Sequence, residues 1–186
     1  MAPLSPPDSL HDGVVAIRSW ENSDLDRLLD LLADPEIPRW TGIPIPYTRK
    51  DAKVFFKSNA RQEAMGVGTD SAITDAVGGK LLGGVGLKLH VVHSSAEVGY
   101  WVAAGVRRRG IASRALRLMA RWAFMDLDVK RLELLTHVGN HASEGVALNC
   151  GFTREGVLRS CREIKGERVD LTIFSLLPND LDGQST

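Results

Sequence analysis

Cysteine is nearly missing: Cys150 and Cys161 are the only two in 186 residues. That is too few for a disulfide framework or a thiolate-built zinc site. Net charge is missing as well, with 23 Lys+Arg against 23 Asp+Glu, which argues against a generally basic nucleic-acid binder. No apolar run approaches the roughly 18 residues that a membrane span requires, and the N-terminus lacks a basic start followed by an apolar core. With 18 Gly and 8 Pro, the chain is neither collagen-like nor of low complexity. What remains is ordinary: 44% hydrophobic and 25% charged residues, enough for one domain with its own core. These features point to a soluble cytoplasmic protein.

Patterning divides the chain into a loose leader (1–13), one folded domain (14–178) and a flexible tail (179–186). Val14–Arg18 alternates as a strand. Leu25, Leu28, Leu29 and Leu32 recur at helical spacing behind Ser23, a candidate cap. Residues 35–47 hold four prolines with Trp40 and Tyr47, which predicts a packed loop over a cleft. Thr48 and Asp51 open a second helix, with Ala52, Phe55, Phe56 and Ala60 on its inner face. Strands follow at Ser71–Ala76, Leu81–Val92 and Ala96–Ala103, then a helix at Arg109–Leu127 and a strand at Leu132–Val138. A short helix, Ala142–Cys150, precedes closing strands Phe152–Cys161 and Arg168–Leu177. The order βααβββαβαββ implies an α/β fold with a largely antiparallel sheet and one parallel crossover.

One segment departs from the even texture. Between Ala103 and Arg121 stand Arg107, Arg108, Arg109, Arg114, Arg117 and Arg121, with no acid. Because the total is zero, the rest of the chain sums to −6. The cluster lies where a strand hands over to a helix near Gly110. A helix start presents unpaired amides and about half a positive charge, which together bind phosphate. Gly110 and Ala112 leave room for a diphosphate to approach the backbone, and Arg107–Arg109 add charged donors at the rim. The plainer alternative is three arginines solvating a loop. No Gly-Lys-Ser/Thr follows, so this is not a P-loop, and the spacing of Gly105 and Gly110 does not fit a dinucleotide fingerprint.

Arg107-x-x-Gly110-x-Ala112 resembles the acetyl-CoA signature of GCN5-related N-acetyltransferases (the GNAT family). The surrounding blocks resemble its RimJ/RimL-like ribosomal-protein branch: Ala96-Glu-Val-Gly-Tyr-Trp-Val102, Asn140-x-x-Ser143, and Asn149-Cys-Gly-Phe-Thr-Arg-Glu-Gly-Val-Leu-Arg159. The resemblance runs over residues 14–178 and implies a single GNAT-type domain whose central strands splay apart. Pantetheine would enter the gap and take main-chain hydrogen bonds from Trp101, Val102 and Ala103. The diphosphate would rest on Arg108, Arg109, Gly110, Ile111, Ala112 and Ser113, with Arg107 and Asn140 also contacting the cosubstrate. The implied reaction is direct transfer of acetyl from acetyl-CoA to a primary amine, either a protein N-terminus or a small molecule.

The same resemblance makes Ser143 the proton donor to the departing thiolate; helix capping is its alternative role. The branch's basic glutamate, six residues after Glu155-Gly156, is replaced here by Arg162, with Glu163 one step away and on the opposite strand face. Either the strand register differs here, or the base lies elsewhere, at Glu97 on the strand before the signature or at His137, or water relays the proton; Glu97 as a purely structural carboxylate weighs equally. The pairs His90/His93 and His137/His141 lack further ligands, so no metal is expected. Neither a membrane nor a nucleic acid is expected as partner, and a homodimer is compatible with the pattern. A CoA-binding module without catalysis is the competing class, and direct RNA contact by the arginines is a third.

Overall fold

The computed structural model describes residues 4–7 and 10–182; the calls for residues 1–3, 8–9 and 183–186 lie outside the described residues. Seven strands form one sheet in the order β1-β2-β3-β4-β5-β7-β6. They are β1 (Val15–Arg18), β2 (Gly68–Asp75), β3 (Leu81–His90), β4 (Ser95–Val102), β5 (Arg131–His137), β6 (Thr153–Ile164) and β7 (Glu167–Leu176). Every neighbouring pair is antiparallel except β4 and β5, which run parallel. That one parallel contact requires the crossover through helix α4 (Ile111–Met125). The expected α/β class and mostly antiparallel sheet are therefore present.

Helices cover the two faces unequally. On one face α4 buries Ala115, Met119 and Ala123 against Val85, Val98, Leu132 and Leu134. Helix α5 (His141–Asn149) joins it through Ala147. On the other face lie α1 (Leu25–Leu32), α2 (Glu36–Trp40) and α3 (Arg49–Met65). Their core is Leu28, Leu32, Ile37, Ala52 and Ala72, with Trp20, Phe55, Phe56 and Trp101 packed against it. Alternation along β4 divides the work: Ala96 and Val98 point to α4, Glu97 and Trp101 to the opposite face.

Several local expectations change. The segment 35–47 is not all loop, because Pro35 occupies the N-cap of α2 and Pro38 falls in its first turn, where a missing amide matters least. Ser23 does not cap α1. A 3-10 turn, Asn22–Asp24, precedes that helix, and the Ser23 hydroxyl donates to Glu21 instead. Thr48 and Asp51 do form a reciprocal capping box on α3. Ala60 is exposed, and Asn59 takes the buried place. The leader is not loose throughout, since Leu4 and Leu10 are buried in the α4-side core. The expected tail begins as a short helix, α6 (Pro178–Asp182).

Asp24 ties β1 to α1. It is buried, receives both guanidinium arms of Arg18 at 2.7 and 2.8 Å, and accepts from the Glu21 amide at 2.9 Å. Burial pushes its pKa up, but the Arg18 and Glu21 contacts outweigh this and leave it lowered. Asp24→Ala is therefore expected to lower unfolding free energy by about 2–3 kcal/mol near pH 7, since it leaves a half-buried guanidinium with only the Ser19 carbonyl and a looser contact to Glu21. The contribution is present above an ordinary carboxylate pKa of about 3.9 and disappears as pH falls through the depressed folded value. Urea unfolding of both proteins at pH 7 and pH 3 checks this: the gap should shrink at the lower pH.

Candidate functional site

The sheet opens at its centre. β4 pairs with β5 only from Ser95↔Arg131 to Val98↔Leu134. Beyond that point β4 stays with β3 as far as Val102↔Gly83, while β5 stays with β7 as far as His137↔Leu171. The two strands thus part into a wedge. The Ala103 amide donates to Leu82 on β3 at 2.8 Å. Antiparallel alternation then turns the main-chain groups of Trp101 towards β3 as well. Those of Tyr100 and Val102 face the wedge, free to pair with an extended ligand.

The wide end of the wedge leads to the N-terminus of α4. Gly110 is its N-cap at φ +76°, and Arg108 shares the left-handed region at φ +59°. A non-glycine residue there carries strain of the kind found at ligand-binding turns. The amides of Ile111, Ala112 and Ser113 have no acceptor within the helix. A Cβ on Gly110 would meet nothing within 4 Å, so the turn is open at that point. Beside it runs an open groove of about 590 Å³ lined by Arg109, Gly110, Ser113, Arg114, Arg121 and Asn149, among others.

The six arginines do not serve alike. Arg107 pairs with Asp34 at the end of α1, Arg114 with Asp12 at 2.7 Å, and Arg117 donates to the Asn149 carbonyl. These brace the turn and α4 against their neighbours. Among the described residues Arg108, Arg109 and Arg121 have no side-chain partner, and Arg109 and Arg121 line the groove.

Asn140 caps α5 by accepting from the Ser143 amide at 3.2 Å. That contact uses the Ser143 backbone and leaves its hydroxyl available. The hydroxyl lies 3.1 Å from Tyr100 Oη, so a β4 side chain reaches across the wedge to α5. Burial pushes the Tyr100 phenol up to about 12, which keeps it protonated through the neutral range. Tyr100 escaped the sequence reading, although its even position with Ala96 and Val98 on β4 was a usable signal.

The opposite face of the wedge is framed by charge. Both carboxylate oxygens of Glu97 are held by the Arg162 guanidinium, one contact at 2.8 Å. Arg162 is held more firmly protonated by that carboxylate. In sheet order β6 is three places from β4. Register shifts between Arg154/Gly156 and Leu158/Arg162 bend the hairpin enough to bring Arg162 back over this face. The hairpin tip is fixed to α2 by the Lys165 ammonium, which donates to the Pro38 carbonyl. His137 meets the Trp40 ring edge-on with centroids 6.1 Å apart, and its buried Nε2 has no partner. Desolvation, aided by Lys165, lowers its pKa. Glu97 and His137 thus stand on the same side of the sheet, Glu97 already paired and His137 neutral. Among the described residues no three His, Cys, Asp or Glu side chains gather as a metal site.

The family model described as an acetyltransferase (GNAT) domain matches residues 15–153. YdaF of Bacillus subtilis (strain 168), provisionally named a ribosomal N-acetyltransferase, is 29% identical over 91% of this chain and 94% of its own. Mycobacterium smegmatis RimJ, solved with CoA-disulfide, superposes with a TM-score of 0.81 at 22% identity, covering 91% of this chain and 84% of its own. The microcin C7 self-immunity acetyltransferase MccE, solved with acetyl-CoA and AMP, gives a TM-score of 0.80 at 23% identity over 92% and 97%. The last two likenesses establish the fold.

Gly110→Val tests the anion site. A β-branched residue at φ +76° costs on the order of 1–2 kcal/mol, and it adds bulk at the open helix start where the diphosphate is expected. The variant is expected to stay folded by circular dichroism yet lose at least 100-fold in CoA affinity by calorimetry. Retained affinity would move the diphosphate elsewhere.

Proposed function

The chain belongs to the GNAT acetyltransferase family, and from that premise we propose how its residues move an acetyl group from acetyl-CoA to a primary amine. The observation that carries the proposal is the parting of β4 and β5 after Val98 and Leu134, with the α4 N-terminus at the open end. Extended pantetheine fits the wedge as an extra strand, bonded to the Val102 and Tyr100 main chain. The diphosphate fits the amides of Ile111, Ala112 and Ser113, with Arg108 and Arg109 at its rim and Asn140 near the pantetheine arm. Charge-assisted donors and helix amides suit the diphosphate for the same reason: both offer N–H groups to acceptor-only oxygens.

Direct transfer requires a neutral amine, donors for the carbonyl oxygen as it gains charge, and a proton for the departing sulfur. Main-chain N–H groups facing the wedge supply the second need. Ser143 supplies the third, with Tyr100 Oη behind it to hold the hydroxyl in line. Glu97 holds Arg162, and we assign the pair to bracing the acceptor side. We place the protein in the cytoplasm, with a peptide N-terminus or a small amine as acceptor; a homodimer is compatible with this. Residues 35–50 contain Glu36 as their single acid against Arg39, Arg49 and Lys50, which disfavours polyamines. The arginine at position 162 favours one rival: a CoA-binding module that no longer transfers acetyl.

Free-thiol release from acetyl-CoA separates the two, assayed with benzylamine, amino-acid amides and short peptides with free N-termini. The enzyme reading expects release with at least one amine; CoA binding with no release from any of them supports the module. Ser143→Ala is then expected to lower turnover about 100-fold while CoA affinity changes less than twofold. Loss of thermal stability with unchanged turnover would reduce Ser143 to a helix residue.

A further inference from the structure

Asp70 is the third residue of β2, and its carboxyl rests over Gly86 of β3 so closely that a Cβ on Gly86 would collide with Oδ1. Gly86 pairs with Gly99 of β4, and a Cβ on Gly99 would meet nothing within 4 Å. The row Asp70–Gly86–Gly99 is therefore a bare-floored trough. Its closed end is a carboxylate and its open end is exposed Gly99, one residue past the last β4–β5 pair at Val98. Bulk borders it on both sides: Trp101 in the next row, Lys88 and Glu97 in the row before. The trough opens on the face that carries Glu97 and His137, level with the point where the central strands separate.

The carboxyl itself is unanswered. Asn59 holds the Asp70 main chain, accepting from its amide at 2.6 Å and donating to its carbonyl at 2.7 Å. Among the described residues nothing donates to the Asp70 side chain. Three charged groups face it from the elements around it. Glu63 of α3 accepts from Asn59 and Thr69, Lys88 of β3 is exposed without an ion pair, and Glu97 of β4 is occupied by Arg162. Burial, reinforced by the Glu63 charge, raises the Asp70 pKa to about 6. The group is thus mostly ionised at neutral pH yet able to take a proton.

We propose that Asp70 accepts the proton of the incoming ammonium group, directly or through one water above Gly99. Strands lie about 4.8 Å apart, so the distance from above Gly86 to the wedge beyond Gly99 is roughly one and a half spacings, ~7 Å. That accommodates an amine nitrogen and one bridging water, the reach a general base requires. The inference rests on the acetyl-transfer function above and supplies the base that Arg162 and the Glu97 pairing leave unassigned. In the step, R–NH3+ passes one proton to the Asp70 carboxylate and becomes R–NH2. Its nitrogen lone pair forms the C–N bond to the acetyl carbon, and the C–S electrons leave with sulfur. The sulfur takes a proton from Ser143, which recovers one from the nitrogen; Asp70 returns its proton to solvent.

The test is kcat/KM against pH with the peptide or amine that the wild type acetylates fastest, read by thiol release. For a peptide N-terminus the wild-type acid limb is expected near pH 6. In Asp70→Asn only the free amine reacts, so the limb moves to the amine's own pKa of about 8. The variant should be at least tenfold slower at pH 7 and approach wild type by pH 9. Gly99→Val, which fills the trough mouth, should keep acetyl-CoA affinity and lose at least tenfold in kcat/KM for the amine. Asp70→Asn removes a like charge beside Glu63, so its Tm should equal or exceed wild type. An unchanged pH profile, an equal loss at every pH, or an unaffected Gly99→Val would each overturn the assignment. Wild type that binds CoA but acetylates nothing would instead strike the transfer function itself.

Discussion

The fold turns on one discontinuity: two parallel central strands that pair for four residues each and then separate. Unpaired main chain inside a sheet is costly unless something pairs with it, so the opening marks a place for an extended ligand. Neither strand is loose there. β3 and β7 hold β4 and β5 from behind, and α4 is packed through Ala115 and Met119, both fully buried. The amides at the start of α4 are thereby fixed in direction before any ligand arrives, which is how a backbone site gains affinity without reordering. The arginines that are ion-paired, Arg107 and Arg114, hold that start in place.

The two faces of the opening carry different chemistry. On the α4 side stand Ser143 and Tyr100, hydroxyl groups able to pass a proton to a departing thiolate. On the other side stand the Glu97–Arg162 pair, His137, and the carboxyl of Asp70 at the end of its glycine trough. In the proposed reaction the sheet thus separates proton donation on one face from proton uptake on the other. The bent β6–β7 hairpin covers that second face by anchoring on β4 and α2.

Much of this was legible in the order of residues. Helix α4 shows in its spacing of apolar residues and in the glycine before it. Thr48 with Asp51 and Asn140 with Ser143 announced two helix starts, because caps are local chemistry. Strand ends moved by a few residues, which altered what could be noticed: a strand expected from Ser71 left Asp70 outside it, whereas β2 begins at Gly68. Ala60 is expected on the inner face of α3 with Ala52, Phe55 and Phe56; the buried position belongs to Asn59, whose amide satisfies the unpaired edge of β2 at Asp70. What could not be read were contacts between distant positions. Glu97 and Arg162 are 65 residues apart, and their meeting depends on two bulges that no periodicity encodes.

Hydrogen exchange on the purified wild-type protein, with and without acetyl-CoA, tests the central claim most directly. Binding should slow exchange at the amides of Ile111, Ala112 and Ser113 and at those of Tyr100 and Val102, while the β2–β3 hairpin stays unchanged. Saturating acetyl-CoA that leaves both segments exchanging at their free rates would contradict the account.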